Sequence, residues 1–447
     1  MNAVVRPRVV IVGAGFGGLW AARTIANESV EVVLVDRNNY HTFLALLYQV
    51  AAALLEAGDI SYPVRSIFRK LPNVSFVLAH VHRIDVDRGR LKTDGPDIPF
   101  DYLIVATGSI TDTLGVDGVA KHAYFLKTLE EGVALKNHII CCFEAAAGEP
   151  DEAARARLLT FVIVGGGATG VEYAGALNEL VRGPLSRDYR DIDFSEVKIV
   201  LLEAADRLVG GMPGDIQAYT AKRLEKMGVD VRFRAKVDRV TGESVTLDGG
   251  ETIPTRTVVW TAGVRGEPLP EYSGIATERD GRVPVLPTLQ VQGHPHMYVV
   301  GDLASLKDRD RPLPLVAQVA IQSAVAASRN IIRQAAGKEP LPFSYHDRGS
   351  MITIGRNSAG VAIGPRTYRG FFAWVLWLTI HLFYLIGFRN RIMVFLNWAW
   401  DYLLYERAVR FVFPAETAAF EKRSACFAPG ADSGEPEHER GAWDGTH

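Results

Sequence analysis

Apolar and polar positions along the first 36 residues fall into a definite order. Residues 9–12 are a short β-branched run. Gly13-x-Gly15-x-x-Gly18 follows, and then "LWAARTIAN" with the look of a helix. A second apolar run, "VEVVLVDR", ends on Asp36, 18 residues beyond Gly18. Strand, glycine turn, helix, strand and acid is the order that a dinucleotide-binding unit requires. The same pattern recurs about 150 residues later. Residues 161–164 lead into Gly165-x-Gly167-x-x-Gly170, a helix from Val171, and "VKIVLLEAADRL" with Glu203 at the strand end. In each copy the first glycine permits the tight turn and the second lets backbone N–H groups approach a pyrophosphate. The third lets helix and strand pack closely, and the positive helix end faces the phosphates. Asp36 and Glu203 are placed to accept hydrogen bonds from ribose hydroxyls, and Glu203 would repel a 2′-phosphate, which favours NADH over NADPH.

Three more apolar strands accompany these units. "FDYLIVATGS" (100–109) follows the first fingerprint, and "TVVWTAGV" (257–264), with Gly263, follows the second. "HMYVVGDLA" (296–304) runs into Gly301 and Asp302. Pro312 and Pro314 then precede an Ala-rich helix on which Gln318 and Gln322, four apart, share a face.

The remaining pattern changes character. Residues 371–388, "FFAWVLWLTIHLFYLIGF", hold no formal charge besides the titratable His381. Trp374, Trp377, His381 and Tyr384 recur at three- and four-residue spacing, and the cations of "RNR" follow. In the next segment Asn390, Asn397 and Asp401 make one polar stripe on an otherwise apolar helix. Two tandem amphipathic helices rich in aromatic residues read as an anchor lying in a membrane interface, although 18 apolar residues are borderline for crossing. Residues 414–447 turn polar and read as a tail without catalytic content.

Composition narrows this only slightly. The chain has 447 residues, room for two or three cores, and a net charge of −2, which gives no reason to expect a nucleic-acid partner. Its three cysteines form no CxxC; the adjacent Cys141 and Cys142 read as helix packing rather than a redox dithiol. No export or import signal is legible at the N-terminus.

These motifs resemble the two-dinucleotide-binding flavoprotein oxidoreductases. The resemblance implies an α/β fold of two Rossmann-like domains, with an NADH domain inserted into an FAD domain, plus the C-terminal amphipathic helical membrane-binding region. The corresponding divisions are 1–118 and 282–365 for FAD, 119–281 for NADH, 366–413 for the membrane helices and 414–447 for the tail. It implies FAD on Gly13, Gly15, Gly18 and Asp36, with Ala106, Thr107 and Gly108 near the cofactors and Gly301 and Asp302 on the ribityl–phosphate side. NADH falls to Gly165, Gly167, Gly170, Glu203 and Gly263.

Disulfide-reducing members carry a cysteine pair after the first unit, where this chain has none. "AQVAIQ" instead is similar to the Ala-Gln-x-Ala-x-Gln signature of type II NADH dehydrogenases, the single-subunit NADH:quinone oxidoreductases. In that family the two glutamines border a quinone pocket. "FLALLYQVA" (43–51) resembles the family's flavin-side segment, with Ala45 where proline is usual, and Glu172 matches a glutamate near the nicotinamide–flavin contact. Arg348 stands where a lysine is common, and an arginine does not release a proton at working pH.

The reading is therefore a hydride from NADH to FAD and two electrons onward to a membrane quinone, without proton pumping. Gln318, Gln322 and Glu172 are the candidate catalytic residues. The bilayer would be met through 371–410, peripherally, on the cytoplasmic face of a bacterial inner membrane, and a homodimer is expected. Two alternatives stay open: a soluble FAD-dependent reductase of another acceptor such as ferredoxin, and a redox sensor that binds both cofactors without turnover.

Overall fold

The computed structural model describes residues 6–308, 311–404, 406–407 and 409–412. The tail expected over 414–447 lies outside them. β1 (Arg8–Val12), α1 (Phe16–Ile25) and β2 (Glu31–Asp36) form the first βαβ unit, with Val10 opposite Val33 in a parallel ladder. The short helices α2 (Leu47–Ala51) and α3 (Ala57–Ile60) precede β3 (Val74–Leu78) and β4 (Tyr102–Val105).

The chain then leaves this sheet to build another. β5 (Tyr124–Phe125), α4 (Leu129–Gly148), β6 (Thr160–Val164) and α5 (Ala168–Leu180) come first. β7 (Lys198–Glu203), α6 (Gly214–Met227), β8 (Asp230–Phe233) and β9 (Thr257–Trp260) complete a parallel sheet of order β5-β9-β6-β7-β8. α4 starts with a reciprocal cap: Thr128 Oγ1 accepts from Glu131 N and Glu131 Oε2 accepts from Thr128 N. Its Cys141 and Cys142 are fully buried, Cys142 as a free thiol.

β10 (Gln290–Val291) and β11 (His294–Val299) return to the first sheet, whose order is β10-β11-β4-β1-β2-β3. The second sheet is thus an insertion between β4 and β10. The centres of both sheets are buried on two faces, so their inner strands read as continuous apolar runs rather than alternations. α7 (Ala317–Ala335) packs along α1, and β12 (Ser350–Thr353), β13 (Ala359–Ile363) and β14 (Arg366–Gly370) form an antiparallel sheet.

That sheet carries α8 (Phe371–Tyr384), and α9 (Phe388–Leu404) packs on α3 and α8. The long apolar segment is therefore broken near Gly387, which turns at φ 91° with the Tyr62 ring 2.5 Å from where a Cβ would sit. α8 has 14 residues, about 21 Å against a bilayer core of ~30 Å. No helix among the described residues is long and apolar enough to cross a membrane.

The polar stripe of α9 points inward. Asn390, 2% exposed, donates its amide to the carbonyls of Gly58, Asp59 and Ser61 at 2.9–3.1 Å. Asn397 donates to Asp59 Oδ2 at 2.8 Å. The outward faces present Phe372, Phe383, Phe388, Phe395 and Leu403, each more than half exposed. Just past α9, buried Arg407 donates to Ala52 O and Ala176 O and pairs with Glu179 and Asp401, bolting the C-terminal segment to α2's end and α5.

Asn390→Ala leaves three carbonyls without that donor, so the folded state loses about 2–3 kcal/mol, read as a lower denaturant midpoint with earlier proteolysis within α9. An unchanged midpoint would mean that the stripe does not hold this helix.

Candidate active site

The two nucleotide turns are built alike. Gly13 and Gly165 adopt φ of 101° and 108°. A Cβ on Gly18 would lie 1.7 Å from Gly13 O, and one on Gly170 would lie 1.9 Å from Gly165 O. Only glycine admits that helix–strand approach. Gly15 and Gly167, the N-caps of α1 and α5, face open space, carry no side-chain cap and have no acid in the following turn. Such ends leave N–H groups for an anion.

The two acids repeat a single arrangement. Asp36 accepts from Ala14 N at 2.5 Å and Asn38 N at 2.7 Å. Glu203 accepts from Gly166 N at 2.6 Å and Ala205 N at 2.7 Å. Burial raises the Asp36 carboxyl above its ordinary value, opposed by those N–H bonds and by Arg37.

A cleft of about 780 Å³ runs from the first turn to the second helix. Gly13, Gly15, Asp36, Ala106, Thr107, Gly108, Gly301 and Asp302 line it, and Glu172 joins them from α5. Gly18 lies behind the wall as packing. Gly165, Gly167, Gly170, Glu203 and Gly263 sit outside this cleft, on the second sheet's own turn. Gly263 O accepts from Asp112 N, and the neighbouring ladder of Ser109–Thr111 with Val264–Gly266 stitches the two lobes together.

The residues present fit a flavin dinucleotide. Thr107 Oγ1 is buried without a partner, and the uncapped N-terminus of α7 enters the cleft through Val316, Ala317 and Ala320. Glu172 Oε1 accepts from Thr353 N at 3.2 Å, and burial pushes its carboxyl up to about 8.

Gln318 and Gln322 lie beside the cleft rather than in its wall, and both hold a strap. Gln318 donates to Gly349 O and accepts from Arg348 N; Gln322 donates to His346 O and accepts from His346 N. Each amide spends its carbonyl and one N–H on backbone that arrives 24–31 residues later.

Two curated proteins of Mycobacterium tuberculosis, both described as type II NADH:quinone oxidoreductases, are similar to this chain over nearly its whole length. One is 38% identical over 417 residues, covering 90% of this chain and 89% of the relative. The other is 40% identical over 415 residues, covering 89% and 87%. The chain belongs to the type II NADH:quinone oxidoreductases.

The broader family profile, pyridine nucleotide-disulphide oxidoreductase, matches residues 7–329. Among solved structures, NDH2 from Plasmodium falciparum in complex with NADH shares the fold at TM-score 0.83 and 18% identity, over 90% of this chain and 99% of that one. The sulfide:quinone oxidoreductase of Aquifex aeolicus also shares it, at TM-score 0.70 and 18% identity, over 90% and 96%. Within this family setting, two groups in the cleft escaped sequence reasoning. Ser109 Oγ donates to Asp302 Oδ2 at 2.7 Å while accepting from Lys127 Nζ at 2.8 Å. His381 reaches the cleft from α8. Lys127 carried no signal beyond standing before the α4 cap.

Glu172 sets a pH dependence. Its folded carboxyl titrates near 8 against 4.5 for the free group, so the folded state meets no cost below pH 4.5. The cost grows as pH rises and levels off above 8. Glu172→Gln removes it, so the variant gains on the wild type in denaturant midpoint between pH 5 and 8. Parallel midpoints across that range would contradict the shift.

Proposed function

We propose that this chain oxidises NADH and reduces a membrane quinone while resting on the bilayer surface, with FAD as its resident cofactor. The observation that carries this reading is the cleft itself, which joins the first glycine turn, the first turn of α5 and the inner face of α8. Bound FAD supplies the two-electron relay between a nicotinamide and a quinone.

The chain's own residues do the positioning. Gly15 and Gly167 leave room for pyrophosphate in front of two positive helix ends. Asp36 and Glu203 turn their carboxylates to ribose hydroxyls, and Glu203 repels a 2′-phosphate. Lys127, Ser109 and Asp302 form a polar chain along the cleft wall for the ribityl side. The first turn of α7 has no acid, so its free N–H groups favour negative charge on whatever lies against it. Glu172, uncharged at neutral pH, lets an electron-rich ring approach without repulsion.

Quinone is assigned to the side of the cleft toward α8, where Met351 and His381 form the wall. Gln318 and Gln322 keep the strap at 346–349 in place along that side. The exposed aromatic faces of α8 and α9 suit lipid headgroups and upper acyl chains, which brings the cleft to a quinone whose tail stays in the bilayer. Attachment is on the face supplied with NADH, the cytoplasmic one in a bacterium.

Stopped-flow mixing separates the halves. In the purified protein NADH bleaches the flavin, and a short-chain quinone added next restores its colour. Gln318→Ala slows the second phase about tenfold and leaves the first within about twofold. Slowing confined to the NADH phase would place the quinone elsewhere. Bleached flavin reoxidised by ferredoxin but not by quinone would favour a soluble reductase.

A further inference from the structure

The inner face of α8 carries two aromatic groups one turn apart, Trp377 and His381. Trp377 is 1% exposed, and the His381 ring stacks on it with centroids 3.9 Å apart and planes at 22°. Phe43, from the segment preceding α2, closes on His381 edge-first at 6.2 Å. The ring therefore has little freedom to turn. His381 Nδ1 lies 2.8 Å from Trp377 O. A carbonyl only accepts, so Nδ1 carries the hydrogen. Burial lowers the ring's affinity for a second proton, to a pKa of about 4, and the imidazole is neutral at working pH. The remaining nitrogen, Nε2, is then a bare lone pair on a ring that lines the cleft, as Ala317 and Met351 do.

We infer that His381 is an acceptor-only group of the quinone site, which recognises the hydroxyl of the quinol product and offers nothing to the quinone carbonyl. This rests on the quinone reading of the cleft. An oxidised quinone brings carbonyl lone pairs toward a lone pair and gains no hydrogen bond. Once the oxygen carries hydrogen, an O–H donates to Nε2. No proton passes to or from His381, because the bond forms to a hydroxyl already made. The group thus binds the reduced form of the substrate in preference to the oxidised one, so its contribution grows as electrons arrive.

Equilibrium binding tests this apart from turnover. The anaerobic, FAD-loaded wild type, His381→Phe and His381→Gln are titrated with a short-chain hydroquinone and with the matching quinone, read by tryptophan fluorescence. Hydroquinone affinity falls about tenfold in the Phe variant while quinone affinity changes less than about twofold, and Gln, which keeps an acceptor oxygen, recovers most of the loss. Equal weakening for both ligands, or none for hydroquinone, overturns the inference, as does a Gln variant no better than Phe. If NADH-reduced wild type is not reoxidised by the quinone at all, the reading of the site falls and this inference falls with it.

Discussion

In both nucleotide turns a helix backbone lies against the carbonyl of the first glycine more closely than any side chain would allow. The whole site depends on that approach. It brings the positive ends of α1 and α5 to the rims of their sheets, where Gly15 and Gly167 leave room for a phosphate pair. It also sets the positions of Asp36 and Glu203, because each carboxylate is bonded to a backbone N–H of its own glycine turn. The long cleft follows from two such units facing each other, with a short antiparallel ladder fastening their strand ends.

The C-terminal helices solve a different problem. Their outward faces are apolar, so the groups holding them to the protein are polar and turned in. Asn390 and Asn397 do this by satisfying the backbone and side chain of the α3 segment, which would otherwise be left bare under the helix. Arg407 completes the attachment. A buried guanidinium is costly unless fully bonded, and here two carbonyls and two carboxylates meet it. Burial raises the Glu179 carboxyl, and Arg407 opposes that shift.

Much of this was legible along the chain because its causes are local. The glycine turns, the strand-ending acids and the α4 cap each lie within a short stretch whose spacing reveals the geometry. Gln318 and Gln322 were legible as a pair on one face, yet their partners come from residues far along the chain, so the strap they hold was not. The polar stripe of α9 was visible from its periodicity, but periodicity does not say which side faces the protein. Lys127 and His381 were missed for the same reason: each reaches the cleft only after distant elements pack. The two tandem helices were legible too, but the first was read through residue 388, whereas it ends at Tyr384, ahead of the turn at Gly387 beside the Tyr62 ring.

The interleaving of the two sheets has a consequence for synthesis on the ribosome. Residues 124–260 supply every strand of the second sheet, so that lobe is able to close as soon as it emerges. The first lobe has to wait. Until 294–299 has been translated, β4 shows an open, wholly apolar edge, the kind of surface that recruits neighbouring nascent chains.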